Sequence, residues 1–374
     1  MIFANARLVL PDEIVPGWLA VANGRIVEMG EGRAPERGLD LALDYLAPGL
    51  VELHTDSLEG HVNPRPKVRW NLAPAVLAYD AGIASAGITT VFDSLRVGTE
   101  DTETLGGETE ALADAIDDAR RLDILRAQHF THLRCEICTD DVLEGTEAFL
   151  ARRPARLLSL MDHTPGQRQF RDVEKLLVYY RGKGRSEEAL QELVVEKRAR
   201  HRRLNGPHRA ALVALARRHR LPVASHDDAT LEDVAEAVRD GVSVAEFPVT
   251  PEAAEASRAA GIRILMGAPN LVRGGSHSGN VAAEELARAG LLDILSSDYI
   301  PASLIQAAFE LPRRVPSITL PRAIATVTRA PAEATGLLDR GRLAPGLRAD
   351  LVRIRDAAGL PVVRGVWREG ERVA

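Results

Sequence analysis

Along the middle of the chain one hydrophobic pattern recurs: an Ala- and Glu-rich stretch with helical spacing, then a glycine, then a short apolar run. Gly87 precedes Ile88-Thr89-Thr90-Val91-Phe92, Gly241 precedes Val242 to Phe247, Gly261 precedes Ile262 to Met266, and Gly290 precedes Leu291 to Leu295. A glycine in that place ends a helix in the left-handed conformation, and a strand follows. Repeated at intervals of about 20 to 40 residues, the pattern describes parallel βα units. Eight such units occur, with strands expected to start near Leu50, Ile88, Phe130, Leu157, Val223, Val244, Ile262 and Leu291. Eight is the count of an α/β (β/α)8 TIM barrel. The competing doubly wound sheet lacks support, because no G-x-G-x-x-G follows any of these strands.

The barrel is assigned to residues 48–339. Between its fourth and fifth strands, residues 164–221 are mostly helical and charged, an excursion long enough to suggest a lid or a partner surface. Residues 1–47 and 340–374 read instead as short strands and turns, with Asn23-Gly24 as a hairpin signal. The two flanks are expected to meet in one small β-sandwich domain. Met1 to Leu10 alternates like a strand and does not look like a signal peptide, so a cytoplasmic protein is expected.

With 374 residues, 45% of them hydrophobic, the chain can bury one large core and a satellite. A net charge of −6 argues against nucleic acid or an anionic membrane as the main partner, and no apolar run reaches the length of a membrane span. Two cysteines cannot build a disulfide framework. Cys135 and Cys138 form a C-x-x-C, but in a strand-like segment they face opposite sides, which argues against a shared zinc or redox role.

Chemistry in such a barrel sits where the strands end. The first strand closes with His54 and Asp56, two apart and therefore on one face, as the first ligand pair of a metal-dependent hydrolase requires. His132, Arg134 and Glu136 share a face of the third strand, while His163, His226 and Asp298 close the fourth, fifth and eighth. Each alone is ordinary, yet their recurrence at one end of successive strands describes a metal site. Nitrogen and oxygen donors of this kind suit one or two divalent ions, Zn2+, Mn2+ or Fe2+. Asp298 would orient or deprotonate the attacking water. Asp93 either supports a ligand from behind or caps a helix, Glu246 points like a site residue with its role open, and His61 reads as loop surface.

A second cluster suits anions. Arg273, Gly274, Gly275, Ser276, His277 and Asn280 follow the seventh strand and lead into a helical stretch from Val281, offering backbone and side-chain donors to phosphate. Arg65 and Lys67 after the first strand, and Arg168 after His163, add cations on the same side. The basic run from Lys197 to Arg220 is interleaved upstream with Glu187, Glu188, Glu192 and Glu196 and reads as a solvated helical face.

Taken together, His54-x-Asp56, the later strand-end ligands, the aspartate after strand eight and the terminal β segments resemble the amidohydrolase superfamily. Within it, Glu52 to Asp56, Pro64 to Val68, Ser159 to Phe170, Ala224 to Thr230, Met266 to Asn270, Arg273 to Asn280 and Leu295 to Tyr299 are most similar to the phosphonate-pathway diphosphatase family acting on ribose 1-methylphosphonate 5-triphosphate. The resemblance implies cleavage of that triphosphate to the 5-phosphate and pyrophosphate, ahead of carbon–phosphorus bond cleavage. It implies a phosphorylated sugar as substrate, and it allows a homo-oligomer or association with other proteins of that pathway. Two departures from the wider superfamily stand out: Asp56 replaces the usual second histidine, and no lysine ends the third or fourth strand to bridge two metals. Glu136 would have to bridge instead. Two other readings use the same residues: hydrolysis of a cyclic amide or an N-acyl amino acid, and a non-catalytic scaffold subunit.

Overall fold

The computed structural model describes residues 1–99, 108–170, 187–276 and 279–374. Five strands open the chain: β1 (Ile2–Val9), β2 (Ile14–Ala22), β3 (Arg25–Glu31), β4 (Leu39–Asp40) and β5 (Tyr45–Pro48). Eight more alternate with helices: β6 (Leu50–Thr55), β7 (Ile88–Val97), β8 (Gln128–Glu136), β9 (Leu157–Met161), β10 (Val223–His226), β11 (Val244–Glu246), β12 (Arg263–Gly267) and β13 (Ile294–Ser296). The last three, β14 (Leu351–Ala357), β15 (Leu360–Arg368) and β16 (Glu371–Arg372), return to the first sheet.

Strands β6 to β13 pair in sequence order, all parallel. The ring closes at the carboxyl end, where Thr55 bridges Asp298 and the Asp298 N–H donates to His54 O at 3.1 Å. Glu52 reinforces that seam, its carboxylate accepting from the backbone N–H groups of His54 (2.7 Å) and Ser297 (2.6 Å). Inside the ring every strand contributes to one apolar cluster: Val51, Leu53, Phe92, Phe130, Leu157, Ala224, Val244, Leu265 and Ile294. Five predicted strand starts coincide with those observed. The eighth falls later, at Ile294, because Leu291 still donates to Leu286 O and completes the preceding helix after left-handed Gly290.

In the terminal sheet the strands run in the order β16-β15-β14-β5-β1-β2-β3, with β4 beside β1. It curls on itself, since Ile26 N–H donates to Leu347 O (2.9 Å) and Gly346 N–H to Ile26 O (2.8 Å). Phe3, Leu8, Leu19, Ile26, Leu46, Leu351 and Trp367 fill the fold so formed, which gives the two-faced packing expected of a small sandwich. Gly49 is the step from this sheet into the barrel. A Cβ there would stand 2.2 Å from Thr89 Oγ1, so only glycine lets the two units approach.

Among the described residues of the long excursion one long α-helix stands out, Glu187–His219, which continues through Pro207. Its second half is the barrel helix of the fourth unit, burying Leu212, Val213, Leu215 and Ala216. Its first half reaches the strand ends, where Arg198 Nε donates to Pro165 O at 3.1 Å. Most of its arginines are exposed, as a solvated face requires, but Arg209 is buried against Glu236 and Asp240.

Candidate active site

Three barrel strands end in residues with a left-handed backbone: Asp227 (φ +58°), Phe247 (φ +56°) and Asp298 (φ +56°). For residues with a Cβ this conformation costs about 1–2 kcal/mol each, and it clusters at functional sites. Each nevertheless keeps its ladder bond, donating to Glu246 O (2.8 Å), Leu265 O (2.8 Å) and His54 O (3.1 Å) respectively. On β6 the simple alternation breaks. Val51 and Leu53 face the apolar interior, a register shift lies between Glu52 and Thr55, and His54 then turns into the mouth.

Four histidines converge there. His54 packs against the rings of His132 (5.2 Å), His226 (5.4 Å) and Phe247 (4.9 Å), and His163 stands 5.9 Å from His226. Each Nδ1 is engaged: His54 with Glu246 Oε1 (3.0 Å), His226 with Asp227 Oδ2 (2.7 Å), His163 with Glu136 Oε2 (2.5 Å), and His132 with Leu53 O (3.0 Å) and Ser94 Oγ (3.1 Å). Burial, reinforced by Arg134 and His226, holds the His54 ring far below its usual pKa, and burial pushes His132 down to about 3. Both rings are therefore held neutral, the form in which an imidazole can ligate a metal.

The donor set fits a divalent ion. His54 Nε2, His132 Nε2, His226 Nε2 and Glu246 Oε2 are buried without a hydrogen-bond partner among the described residues, a state that costs free energy unless something else meets them. An imidazole that donates through Nδ1 to a carboxylate or carbonyl and leaves Nε2 bare is arranged as metal-binding histidines are. Ligand atoms of His54, His226 and Glu246 lie within 4.8 Å of one another, and so do those of His163, His226 and Asp227. His226 belongs to both groups.

The remaining expected ligands sit around these groups rather than in them. Asp56 is paired with Arg134 at 3.0 Å, and against burial the guanidinium holds that carboxyl below its usual range. Arg134, which also donates to Met161 Sδ, is buried at the centre of the mouth. Glu136 contacts His163 through both its ring and its backbone N–H (3.1 Å). Asp298 is pushed up to about 7 by burial and then by the Asp56 carboxylate, a value suited to proton exchange near neutrality.

Other residues depart from the sequence expectation. Asp93 faces outward from the barrel, accepting from Tyr79 Oη (2.8 Å) and pairing with His129 (3.0 Å), so it neither supports a metal ligand nor caps a helix. His61 is not on a loop; it lies in the helix Ser57–Val62, half-buried against Tyr79. Arg168 is buried, with its guanidinium on Asp228 (2.5 Å) and the carbonyl of His226 (2.9 Å), so it braces β10 instead of facing a ligand. The glycine loop does not follow strand seven directly. Pro269 opens a helix, Ala268–Arg273, that left-handed Gly274 ends, and the next helix starts at Ala283 with its first N–H already taken by Asn270 Oδ1 (2.9 Å). Arg273, Arg65 and Lys67 are exposed beyond β12 and β6, Ser276 and Asn280 are half-buried, and His277 lies outside the described residues. Asp227 escaped the sequence reading. Its signal was the acidic neighbour in Ser225-His226-Asp227, which strand alternation alone would have turned away.

The sequence profile of the amidohydrolase family matches residues 163–374. Over 378 aligned residues, covering all of both proteins, the chain is 47% identical to alpha-D-ribose 1-methylphosphonate 5-triphosphate diphosphatase of Escherichia coli. Among solved structures, N-acetyl-D-glucosamine-6-phosphate deacetylase of Mycobacterium smegmatis superposes with a TM-score of 0.67 at 18% identity over 100% of each chain. The 5-methylcytosine deaminase of Klebsiella pneumoniae also gives 0.67, at 16% identity over 100% of this chain and 97% of the other. These two establish a shared fold. With its profile matched over more than half the length and a full-length relative at 47% identity, the chain belongs to the amidohydrolase family, and within it to the family of that diphosphatase.

Proposed function

We propose that this chain is a metal-dependent diphosphatase that hydrolyses the 5-triphosphate of alpha-D-ribose 1-methylphosphonate 5-triphosphate to the 5-phosphate, releasing pyrophosphate. The full-length match to a diphosphatase of that name carries the reading. The buried, neutral imidazoles with bare Nε2 atoms support its metal dependence. His54 and His226 would hold the ion, with Glu246 fixing the His54 ring and His163 and Asp227 beside them, and nitrogen and oxygen donors of this kind suit Zn2+, Mn2+ or Fe2+. A divalent ion bound there supplies Lewis acidity and lowers the pKa of a water.

The chain's own residues complete the reaction. Asp298 takes a proton from the water that adds to phosphorus, and the P–O bond to the departing pyrophosphate breaks. Arg134 offsets the carboxylates Asp56 and Asp298, so that a polyanion can approach a mouth that would otherwise repel it. Arg65, Lys67 and Arg273, exposed on segments that follow barrel strands, are the cations for the outer phosphates. The proposal includes a cytoplasmic location for this step of phosphonate catabolism. No helix among the described residues is long and apolar enough to cross a membrane.

Phosphorus NMR of the metal-loaded protein with this triphosphate is the test. Equal amounts of pyrophosphate and 5-phosphate are expected, and their absence would overturn the proposal.

A further inference from the structure

Cys138, on the turn after β8, has its Sγ 3.4 Å from Asp162 Oδ1 and 3.8 Å from His201 Nδ1. His201 Nδ1 in turn lies 2.7 Å from Asp162 Oδ2. The three residues come from separate elements: the β8 turn, the position after β9, and the long helix Glu187–His219. One ligand atom from each falls within 4.8 Å of the others. Tetrahedral zinc with bonds of about 2.0–2.3 Å holds its ligand atoms about 3.3–3.6 Å apart. The Cys138–His201 edge, at 3.8 Å, is already near that length, and Asp162 meets Cys138 through Oδ1 and His201 through Oδ2, so a small turn of its carboxylate brings one oxygen between them.

The donors are also of the right kind. Thiolate, carboxylate and imidazole together favour zinc over the hard ions that take oxygen alone. Asp162 is held in place by Thr164 N–H (3.0 Å) and Asn205 Nδ2 (2.9 Å), so its carboxylate is oriented before any ion arrives. His201 is about one quarter exposed, which gives an ion a way in. Cys135, by contrast, points elsewhere, with its Sγ 3.5 Å from Thr146 Oγ1.

We propose that Cys138, Asp162 and His201 form a second metal site, separate from His54 and His226, which takes Zn2+ with a fourth position open to water. Binding forms the sulfur–metal bond and releases the thiol proton to solvent. It pins the first half of the long helix to the barrel beside His163, the residue that follows Asp162. The proposal is independent of the reaction proposed above.

Cobalt titration of the full-length, chelator-stripped protein tests it, because the first site contains no sulfur and only this one can give a thiolate-to-cobalt absorption band. A saturable band is expected in the parent protein and in Cys135→Ser, none in Cys138→Ser, and about tenfold or weaker affinity in His201→Ala. No band in the parent protein, loss of it in Cys135→Ser, or a band surviving in Cys138→Ser overturns the site. His201→Ala alters a partly exposed helix position, so an unchanged affinity there overturns it even where Cys138→Ser does not fold.

Discussion

Glu246 Oε1 stands 3.0 Å from His54 Nδ1, joining β11 to β6 across the barrel mouth and leaving the Nε2 of that ring bare. Fixing the ring in this way sets which nitrogen meets an ion. Glu246→Ala is expected to lower metal affinity about 10–100-fold, whereas Glu246→Gln keeps an oxygen that can accept and recovers most of the loss. Calorimetric titration of the stripped protein measures both. Parent-like affinity in Glu246→Ala would remove Glu246 from the site.

In the proposed reaction Asp298 accepts the proton of the attacking water on a carboxylate whose pKa burial and Asp56 raise to about 7. Asp298→Asn keeps its shape but cannot take that proton. The turnover number should fall about 10²–10⁴-fold with KM little changed. If steady-state kinetics show a raised KM and an intact turnover number, Asp298 binds substrate and does not carry the proton.

The barrel was legible because its signal is local and repeated: glycine after an amphipathic helix, then an apolar run, eight times over. The same rule located His163, His226 and Asp298 at strand ends. It could not give partners, which depend on how far each side chain reaches across the ring. Arg168 and Arg65 look alike as cations in loops, yet one meets Asp228 in the interior and the other meets solvent. Asp93 departs from the sequence expectation for the same reason, since its partner His129 lies on the neighbouring strand and Tyr79 on a helix. The turn of the backbone at Asp227 and Phe247 is likewise invisible to alternation, because a left-handed residue resets which side chain faces the mouth.

His129 makes stability depend on alkaline pH. It is buried between Asp93 (3.0 Å) and Asp80 (3.1 Å), and against the cost of burial these carboxylates raise it to about 9 from an ordinary 6.5. The folded chain thus holds that proton more tightly than the unfolded chain. The resulting stabilisation is complete below about pH 6.5 and is lost as pH rises through about 9, an effect on the order of 3 kcal/mol. Urea unfolding at pH 6.5 and 9.5 should show this decline, and His129→Gln should flatten it while lowering stability at pH 6.5. A parent protein equally stable at both values would contradict the assignment.

Arg168 and Arg65 separate a structural cation from one proposed to meet substrate. Arg168→Ala leaves Asp228 buried without its charge partner and frees the carbonyl of His226, a change that costs about 3–5 kcal/mol. A lower unfolding midpoint is expected, with turnover falling because β10 no longer holds His226 in place. Arg65 is exposed and carries no comparable load. Arg65→Ala should leave the stability within about 0.5 kcal/mol of the parent, and it should raise KM for the triphosphate more than it lowers the turnover number. Thermal unfolding and kinetics on the two variants together decide the matter: if Arg168→Ala unfolds like the parent and raises only KM, the guanidinium faces substrate after all.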